Sequence, residues 1–119
     1  MIVLADTSVW VDLWRQGNPR FVRILEQESV LMHPFVLGEL ALGSVAQRGE
    51  VLRRLARLRP ASVARHREVL ALIERTPLWG RGIRWVDAHL LASALLDRIP
   101  LWTLDAPLAR VARELGVAH

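Results

Sequence analysis

The first eight residues restrict the fold of this chain more than any other stretch. Residues 2–5 form an unbroken apolar run that ends at Asp6, which Thr7 and Ser8 follow. A short apolar run of this kind is typical of a strand buried on both faces of a parallel sheet. Asp6 is then predicted at the carboxyl end of that strand, where open α/β sheets bind ligands. The alternative is that Asp6 only caps a helix beginning near Ser8.

Short apolar runs and longer amphipathic stretches alternate along the rest of the chain. Two further strands are predicted over residues 29–32 and 101–103, and residues 117–118 are predicted as a short edge strand. Helices outnumber strands, which favours a small, mostly parallel sheet flanked by helices. The clearest helical patterns cover residues 8–15, 35–42, 65–75 and 86–96, and a last helix opens at Pro107.

The bulk properties indicate one globular domain spanning residues 1–119. Hydrophobic residues make up 52% of the chain and the mean hydropathy is +0.23, which excludes a disordered chain. There is no apolar run of membrane-spanning length and no basic leader, so we expect a cytoplasmic protein without a signal peptide. The absence of cysteine excludes disulfides, thiolate zinc sites and cysteine nucleophiles.

The charged residues restrict the chemistry further. All 16 basic residues are arginine, which binds phosphate in a bidentate manner, and the net charge is +4. The absence of lysine excludes a P-loop, and Ser8 stands where a haloacid-dehalogenase-type phosphatase would carry a second aspartate. No Gly-x-Ser-x-Gly elbow of a serine hydrolase is present. An acidic pocket within a basic surface suits a metal-dependent enzyme acting on a polyanion.

Four acids occur in apolar settings, where a charge is costly unless it is paired or bound to a cation. Each has a simpler interpretation as a helix cap, a turn residue or an exposed helix residue. Together they are predicted to meet at one edge of the sheet, where carboxylate oxygens would bind Mg²⁺ or Mn²⁺. The four histidines are scattered and are predicted to be structural or exposed. The four acids are Asp6, Glu39, Asp87 and Asp105.

Four motifs, in order and over essentially the whole chain, resemble PIN-domain ribonucleases of the VapC toxin type. They are LADTSVWVD at 4–12, GEL at 38–40, WVDAHLLASA at 85–94 and LWTLD at 101–105. The resemblance implies a PIN-like three-layer α/β/α sandwich. It also implies a hydrolase, a metal-dependent endoribonuclease that is the toxin of a type II toxin–antitoxin pair. Such an enzyme hydrolyses RNA phosphodiester bonds with water activated by Mg²⁺, for which Mn²⁺ can substitute.

The resemblance also assigns roles to individual residues. Asp6 and Asp87 would be the principal metal ligands, with Glu39 binding metal or orienting water and Asp105 completing the acidic cluster. Three hydroxyl residues would support the carboxylates or the scissile phosphate by hydrogen bonds, and these are Thr7, Ser8 and Thr103. The arginines that flank the nearest loop and helices are candidate RNA contacts, namely Arg81, Arg84 and Arg110. Trp79 is the best exposed candidate for base stacking, whereas the core is predicted to contain Trp10, Trp14 and Trp102.

Partners follow from the same resemblance. We expect a homodimer, an RNA substrate such as a tRNA or rRNA loop, and a VapB-like antitoxin that packs in a groove and directs an arginine at the acids. DNA would be contacted indirectly, through the antitoxin, and no membrane is involved. Two alternatives stay open at this stage. One is a catalytically silent module that binds RNA or the antitoxin, and the other is a DNA-directed nuclease of related fold.

Overall fold

Three parallel strands form the centre of the structure, a computed structural model that describes residues 1–119. They are β1 (Val3–Ala5), β2 (Val30–Leu31) and β3 (Leu101–Trp102), in the order β2-β1-β3. β1 pairs with β2 through Val3 and Val30, and with β3 through Ala5 and Trp102. The central strand is fully buried, as the unbroken apolar run predicted.

Seven helices connect and flank these strands, so the predicted α/β class with a small parallel sheet is confirmed. None of the helices is long and apolar enough to cross a membrane. The helices are α1 (Thr7–Gln16), α2 (Pro19–Glu26), α3 (Pro34–Ala41), α4 (Arg48–Leu55), α5 (His66–Arg75), α6 (Trp85–Asp97) and α7 (Ala106–Glu114).

Three helices carry proline in their first turn, where a backbone N–H would have no partner within the helix, so proline costs no hydrogen bond there. The residue that precedes each of them caps the helix with its side chain. Asn18 caps α2 by accepting a hydrogen bond from the Phe21 amide at 3.0 Å, and the His33 ring nitrogen Nδ1 accepts from the Phe35 amide at the same distance. Asp105 caps α7. These beginnings are therefore encoded locally in the sequence.

The predicted strands were one or two residues longer than the strands in the structure. The predicted strand at residues 117–118 is reduced to a single bridge between Ala118 and Leu101. Thr103 leaves β3 because its hydroxyl accepts a hydrogen bond from the Asp105 amide at 3.0 Å, which turns the chain into α7. A second bridge, between Met32 and Pro60, extends the opposite edge of the sheet.

An aromatic cluster packs in the core beside β3. Phe21 is fully buried, and its ring lies edge-on to Trp10 at 4.8 Å and to Trp102 at 5.4 Å between centroids. Trp10 and Trp102 are buried as predicted, but the prediction for Trp14 is wrong, since it is 37% exposed. It lies one turn beyond Trp10 on α1 and lines a surface groove instead of the core.

Replacement of Phe21 tests the importance of this cluster. The change Phe21→Ala leaves a cavity between two tryptophan rings and is expected to lower the free energy of unfolding by about 3–5 kcal/mol. Urea unfolding followed by tryptophan fluorescence measures the loss. The neighbouring exposed residue on α2 provides the control, and Val22→Ala should change stability by no more than about 0.5 kcal/mol. Equal effects of the two changes would contradict this assignment of the core.

Candidate active site

Asp6 and Thr103 lie beside each other at the carboxyl end of the sheet. Ala5 and Trp102 are paired across β1 and β3, so the next residue of each strand emerges at the same edge. The Asp6 amide donates to the Trp102 carbonyl at 3.0 Å, which continues the ladder by one bond. β1 has β2 on one side and β3 on the other, so this edge is the kind of crevice in which α/β sheets bind ligands.

The Asp6 carboxylate is buried and held from two sides. The Ser8 hydroxyl donates to its Oδ1 at 2.5 Å, the Thr103 hydroxyl donates to its Oδ2, and the Val9 amide donates to Oδ1 at 3.3 Å. Asp6 is 6% exposed. Burial raises the pKa of Asp6 above its ordinary value, and the hydrogen bonds from Ser8, Thr103 and the backbone counteract that rise.

The two hydroxyls are themselves oriented by the backbone. The Ser8 oxygen accepts from the Leu104 amide at 2.9 Å, and the Thr103 oxygen accepts from the Asp105 amide at 3.0 Å. Each hydroxyl thus accepts a hydrogen bond from the backbone and donates its own proton to Asp6. The turn after β1 and the turn after β3 are thereby linked through one carboxylate.

Asp87 reaches the same cleft from the first turn of α6. Its Oδ2 accepts from the Arg84 amide at 3.0 Å, which satisfies a free N–H at the start of the helix. Burial raises the pKa of Asp87, and the negative charges of Asp105, Asp6 and Glu39 raise it further, against the opposite effect of the Arg84 hydrogen bond. Asp105, Asp6 and Glu39 therefore all lie close enough to Asp87 to disfavour its ionisation.

The other two acids are more exposed and occupy the rim. Asp105 caps α7, with its Oδ2 accepting from the Leu108 amide at 3.1 Å. Glu39, on α3, accepts at Oε1 from the Thr7 hydroxyl at 2.6 Å. In both residues, and in Asp87, the second carboxylate oxygen accepts no hydrogen bond from the protein. Those oxygens remain available to a ligand.

The capping interpretation and the cleft interpretation of these acids are both correct. Asp6 caps α1, Asp105 caps α7, and Asp87 lies in the first turn of α6. Three helix N-termini thus point at one place, and their partial positive charges stabilise nearby anions. This arrangement makes it less unfavourable to gather several carboxylates in a partly buried cleft.

The cleft has a volume of about 930 Å³ and is lined by all four acids together with Thr7 and Ser8. All of its strongest metal donors are carboxylate and hydroxyl oxygens, a set that suits Mg²⁺ or Mn²⁺. No group of three or more carboxylate or imidazole side chains is placed to hold a single ion. Mg²⁺ usually keeps several of its waters and binds one or two carboxylates directly, so the residues present fit such an ion.

Of the three predicted arginine contacts, Arg84 lines the cleft. Arg81 forms an ion pair with Glu114 on α7, and neither Arg81 nor Arg110 is among the residues that line the cleft. The sequence analysis missed Arg15, which lines the cleft from α1. Helical spacing gives the missing signal, because Arg15 lies seven residues, or two turns, after Ser8.

Two other residues line the cleft that were not among the predicted site residues. Asp12 lines the cleft, but Gln16 donates to its carboxylate at 2.5 Å and Asn18 donates at 3.4 Å, so it is bound up in local hydrogen bonds. Trp85 opens α6, lines the cleft and is 40% exposed. It was not among the residues predicted to contact RNA.

A second groove adjoins the cleft and is mainly apolar. Its volume is about 640 Å³, and it shares Thr7, Val11, Arg15 and Glu39 with the cleft. Trp14 has the largest apolar side chain among its lining residues. The remaining lining residues are Leu40, Gly43, Ser44, Val45, Ala46 and Val51.

The histidines are not grouped with the acids as metal ligands. His33 and His89 are buried, with ring centroids 6.2 Å apart. Burial lowers the pKa of His33 to about 4, with a further contribution from His89, so it is neutral at physiological pH. His66 is exposed and packs on Trp85. His119 stacks on Trp102.

Comparison with known proteins identifies the family. A model of the PIN domain matches residues 3–114. The chain is 47% identical over 118 residues to Ribonuclease VapC32 of Mycobacterium tuberculosis, in both strain CDC 1551 / Oshkosh and strain ATCC 25618 / H37Rv. The match covers 98% of this chain and 95% of that relative. The chain therefore belongs to the PIN-domain family, and within that family it is of the VapC type. The resemblance of the four motifs is thus confirmed.

The raised pKa of Asp87 predicts how stability depends on pH. At pH values just above 3.8, the ordinary pKa of an aspartate, the Asp87 carboxyl stays protonated in the folded protein but has lost its proton in the unfolded chain. The free energy of unfolding must therefore fall as the pH rises through that range. The change Asp87→Asn, which cannot ionise, is expected to stabilise the metal-free protein at pH 7, with a gain that shrinks towards pH 3.8 and below.

Urea unfolding in EDTA at several pH values measures this effect. Glu26→Gln removes an exposed acid far from the cleft and is the matched control, expected to leave stability nearly unchanged. If Asp87→Asn proved less stable than the wild type at pH 7, mutual repulsion among the acids would not be a significant strain on the fold.

Proposed function

We propose that residues 1–119 form a single PIN domain that acts as a metal-dependent endoribonuclease, the toxin of a type II toxin–antitoxin pair. The observation that carries this proposal is the convergence of four carboxylates on one cleft at the carboxyl end of the sheet. The likeness to a protein named as a ribonuclease, over nearly the full length of both chains, supports RNA as the substrate. The arginine-only basic surface suits the same polyanion.

Asp6 and Asp87 would hold the metal ion directly, and Glu39 and Asp105 would hold its waters or a second ion. Mg²⁺ is the proposed ion, and Mn²⁺ would substitute for it. When bound there, the ion supplies Lewis-acid polarisation of a phosphoryl oxygen and activation of water. Its positive charge would also relieve the repulsion that raises the pKa of Asp87.

The remaining residues of the cleft position the acids and the substrate. Thr7 orients Glu39, whose free Oε2 would accept a proton or orient a water molecule next to the phosphate. Ser8 and Thr103 favour the ionised form of Asp6 and hold its carboxylate in one orientation. Arg15 and Arg84 are the proposed phosphate contacts, since both line the cleft. Arg81 and Arg110 would contact more distant phosphates, and Arg81 would first have to leave Glu114.

The apolar groove beside the cleft is the proposed seat of a VapB-like antitoxin. It shares Glu39 and Arg15 with the cleft, so a chain bound there could place an arginine among the acids. That arrangement would neutralise the site and exclude RNA together. We further propose a homodimer that acts in the cytoplasm, where its RNA substrate, a tRNA or rRNA loop, is found. DNA would be contacted through the antitoxin.

Cleavage of RNA by the purified protein tests the proposed activity. Total cellular RNA with Mg²⁺ should yield discrete fragments, and Asp6→Asn should reduce the rate by about 100-fold or more. The physical reason is that loss of a residue which merely orients a ligand already costs about 10- to 100-fold. EDTA should abolish the reaction, and Mn²⁺ should restore it.

The controls separate this activity from its alternatives. Glu26→Gln, an exposed acid outside the cleft, should cleave like the wild type. Single-stranded DNA of matched sequence should be cut more slowly than RNA. A folded, antitoxin-free protein that binds RNA with Mg²⁺ but cuts none would contradict the enzyme and favour a silent binding module.

The Thr103 hydroxyl offers a subtler test of the metal site. Thr103→Val keeps the shape of the side chain but removes the donor to Asp6 and the acceptor of the Asp105 amide. The pKa of Asp6 should rise further, since a hydrogen bond that lowers it is lost. Affinity for Mn²⁺, measured by calorimetry at neutral pH, is expected to fall by about 10- to 100-fold. Part of this loss should be recovered at higher pH, and an unchanged affinity would show that Asp6 needs no such support.

A further inference from the structure

Trp85 is a large apolar side chain placed inside a charged cleft. It opens α6 two residues before Asp87 and lines the cleft beside Arg84. Its exposed fraction is 40%, although the core of the protein accepts tryptophan elsewhere, as Trp10 shows at 2%. The indole therefore contributes less to folding than it would if buried, and its open surface faces the place where a substrate would bind.

Two histidines hold the indole ring in one orientation. The His89 ring lies edge-on to it, with centroids 4.8 Å apart at 81°, and the His66 ring is tilted against it at 5.0 Å and 50°. His89 is buried in the same helix, one turn further on, so it provides a rigid support. An aromatic ring fixed in this way loses little conformational freedom when a flat ligand stacks on it.

The flat parts of an RNA strand are its bases. Base stacking on an aromatic side chain strengthens binding by about 5- to 150-fold per base and does not depend on which base is present. Arg84 precedes Trp85 in the chain and lines the same cleft, so a phosphate contact and a stacking surface lie side by side. Trp79 is 64% exposed but is not among the residues that line the cleft.

We propose that Trp85 is the stacking platform for one unpaired base next to the phosphodiester bond that is cut. This inference rests on the proposed ribonuclease function. It also predicts which RNA the site prefers. A base that is stacked and paired within a duplex cannot lie on the indole, so the cleft selects single-stranded loops over duplex RNA. Trp85 is then a specificity residue, whereas the acids carry the chemistry.

Binding of a labelled RNA, measured by fluorescence anisotropy in Mg²⁺, tests the role of Trp85 without requiring cleavage. All proteins carry Asp6→Asn, so that no substrate is consumed, and the ligands are an unstructured 12-nucleotide RNA and its duplex. Trp85→Leu retains an apolar side chain against the histidines but has no aromatic face. Trp85→Phe retains an aromatic face, and Trp79→Ala removes the exposed tryptophan outside the cleft.

The expected result is a loss of about 5- to 150-fold in affinity for the single strand in Trp85→Leu, with little change for the duplex. Trp85→Phe should retain most of the affinity, and Trp79→Ala should retain all of it. Thermal unfolding verifies that each variant is folded. If Trp85→Leu should fail to fold, an abasic version of the single-stranded RNA replaces it, because removal of the base that stacks on an intact Trp85 should cost the same factor.

Unchanged affinity of Trp85→Leu for the single strand would overturn the proposal. So would an equal loss of affinity for the single strand and the duplex. Failure of the enzyme proposal would be recognised separately, as the absence of metal-dependent cleavage by a protein with the wild-type Asp6. The binding difference between the variants would still be measurable in that case.

Discussion

The Asp6 carboxylate accepts hydrogen bonds from Ser8, two residues further along the same turn, and from Thr103, which follows the neighbouring strand β3. These contacts join the turn that enters α1 to the turn that enters α7. The Leu104 amide donates to the Ser8 hydroxyl and so adds a second bond between the two turns, and the Asp105 amide donates to the Thr103 hydroxyl within the second turn. A buried charge is tolerated there because every hydrogen bond around it favours the ionised form, and the cleft takes its shape from the same bonds.

The electrostatics of the cleft follow from two opposing effects. Burial raises the pKa values of Asp6 and Asp87, and the negative charges of Asp105, Asp6 and Glu39 raise that of Asp87 further, which makes the ionised form of Asp87 unfavourable in the absence of a cation. Hydrogen bonds and three helix N-termini act in the opposite direction. A site balanced in this way would bind a divalent cation strongly, since the cation removes the repulsion while the hydrogen bonds remain. The helix termini would also favour the phosphate of a substrate.

The sequence predicted the parts of this site that depend on local patterns. Asp6 and Asp105 follow apolar strands, and the parallel pairing of β1 with β3 brings both to one edge. Glu39 was predicted from its apolar setting and then from the family motif, but its place in the cleft depends on the packing of α3 beside α1, which no local pattern encodes. The burial of Trp14 was wrongly predicted for the same reason: whether an aromatic residue is covered depends on which distant element packs over it.

Diffraction from crystals grown with Mn²⁺ near neutral pH would test most directly whether the acids form a cation site. The anomalous signal locates the ion without any assumption about the activity of the protein. We predict a peak in the cleft at coordinating distance from the Asp6 and Asp87 carboxylates. Crystals saturated with Mn²⁺ that show no peak in the cleft, or that bind the ion only elsewhere, would contradict the metal site and with it the proposed chemistry.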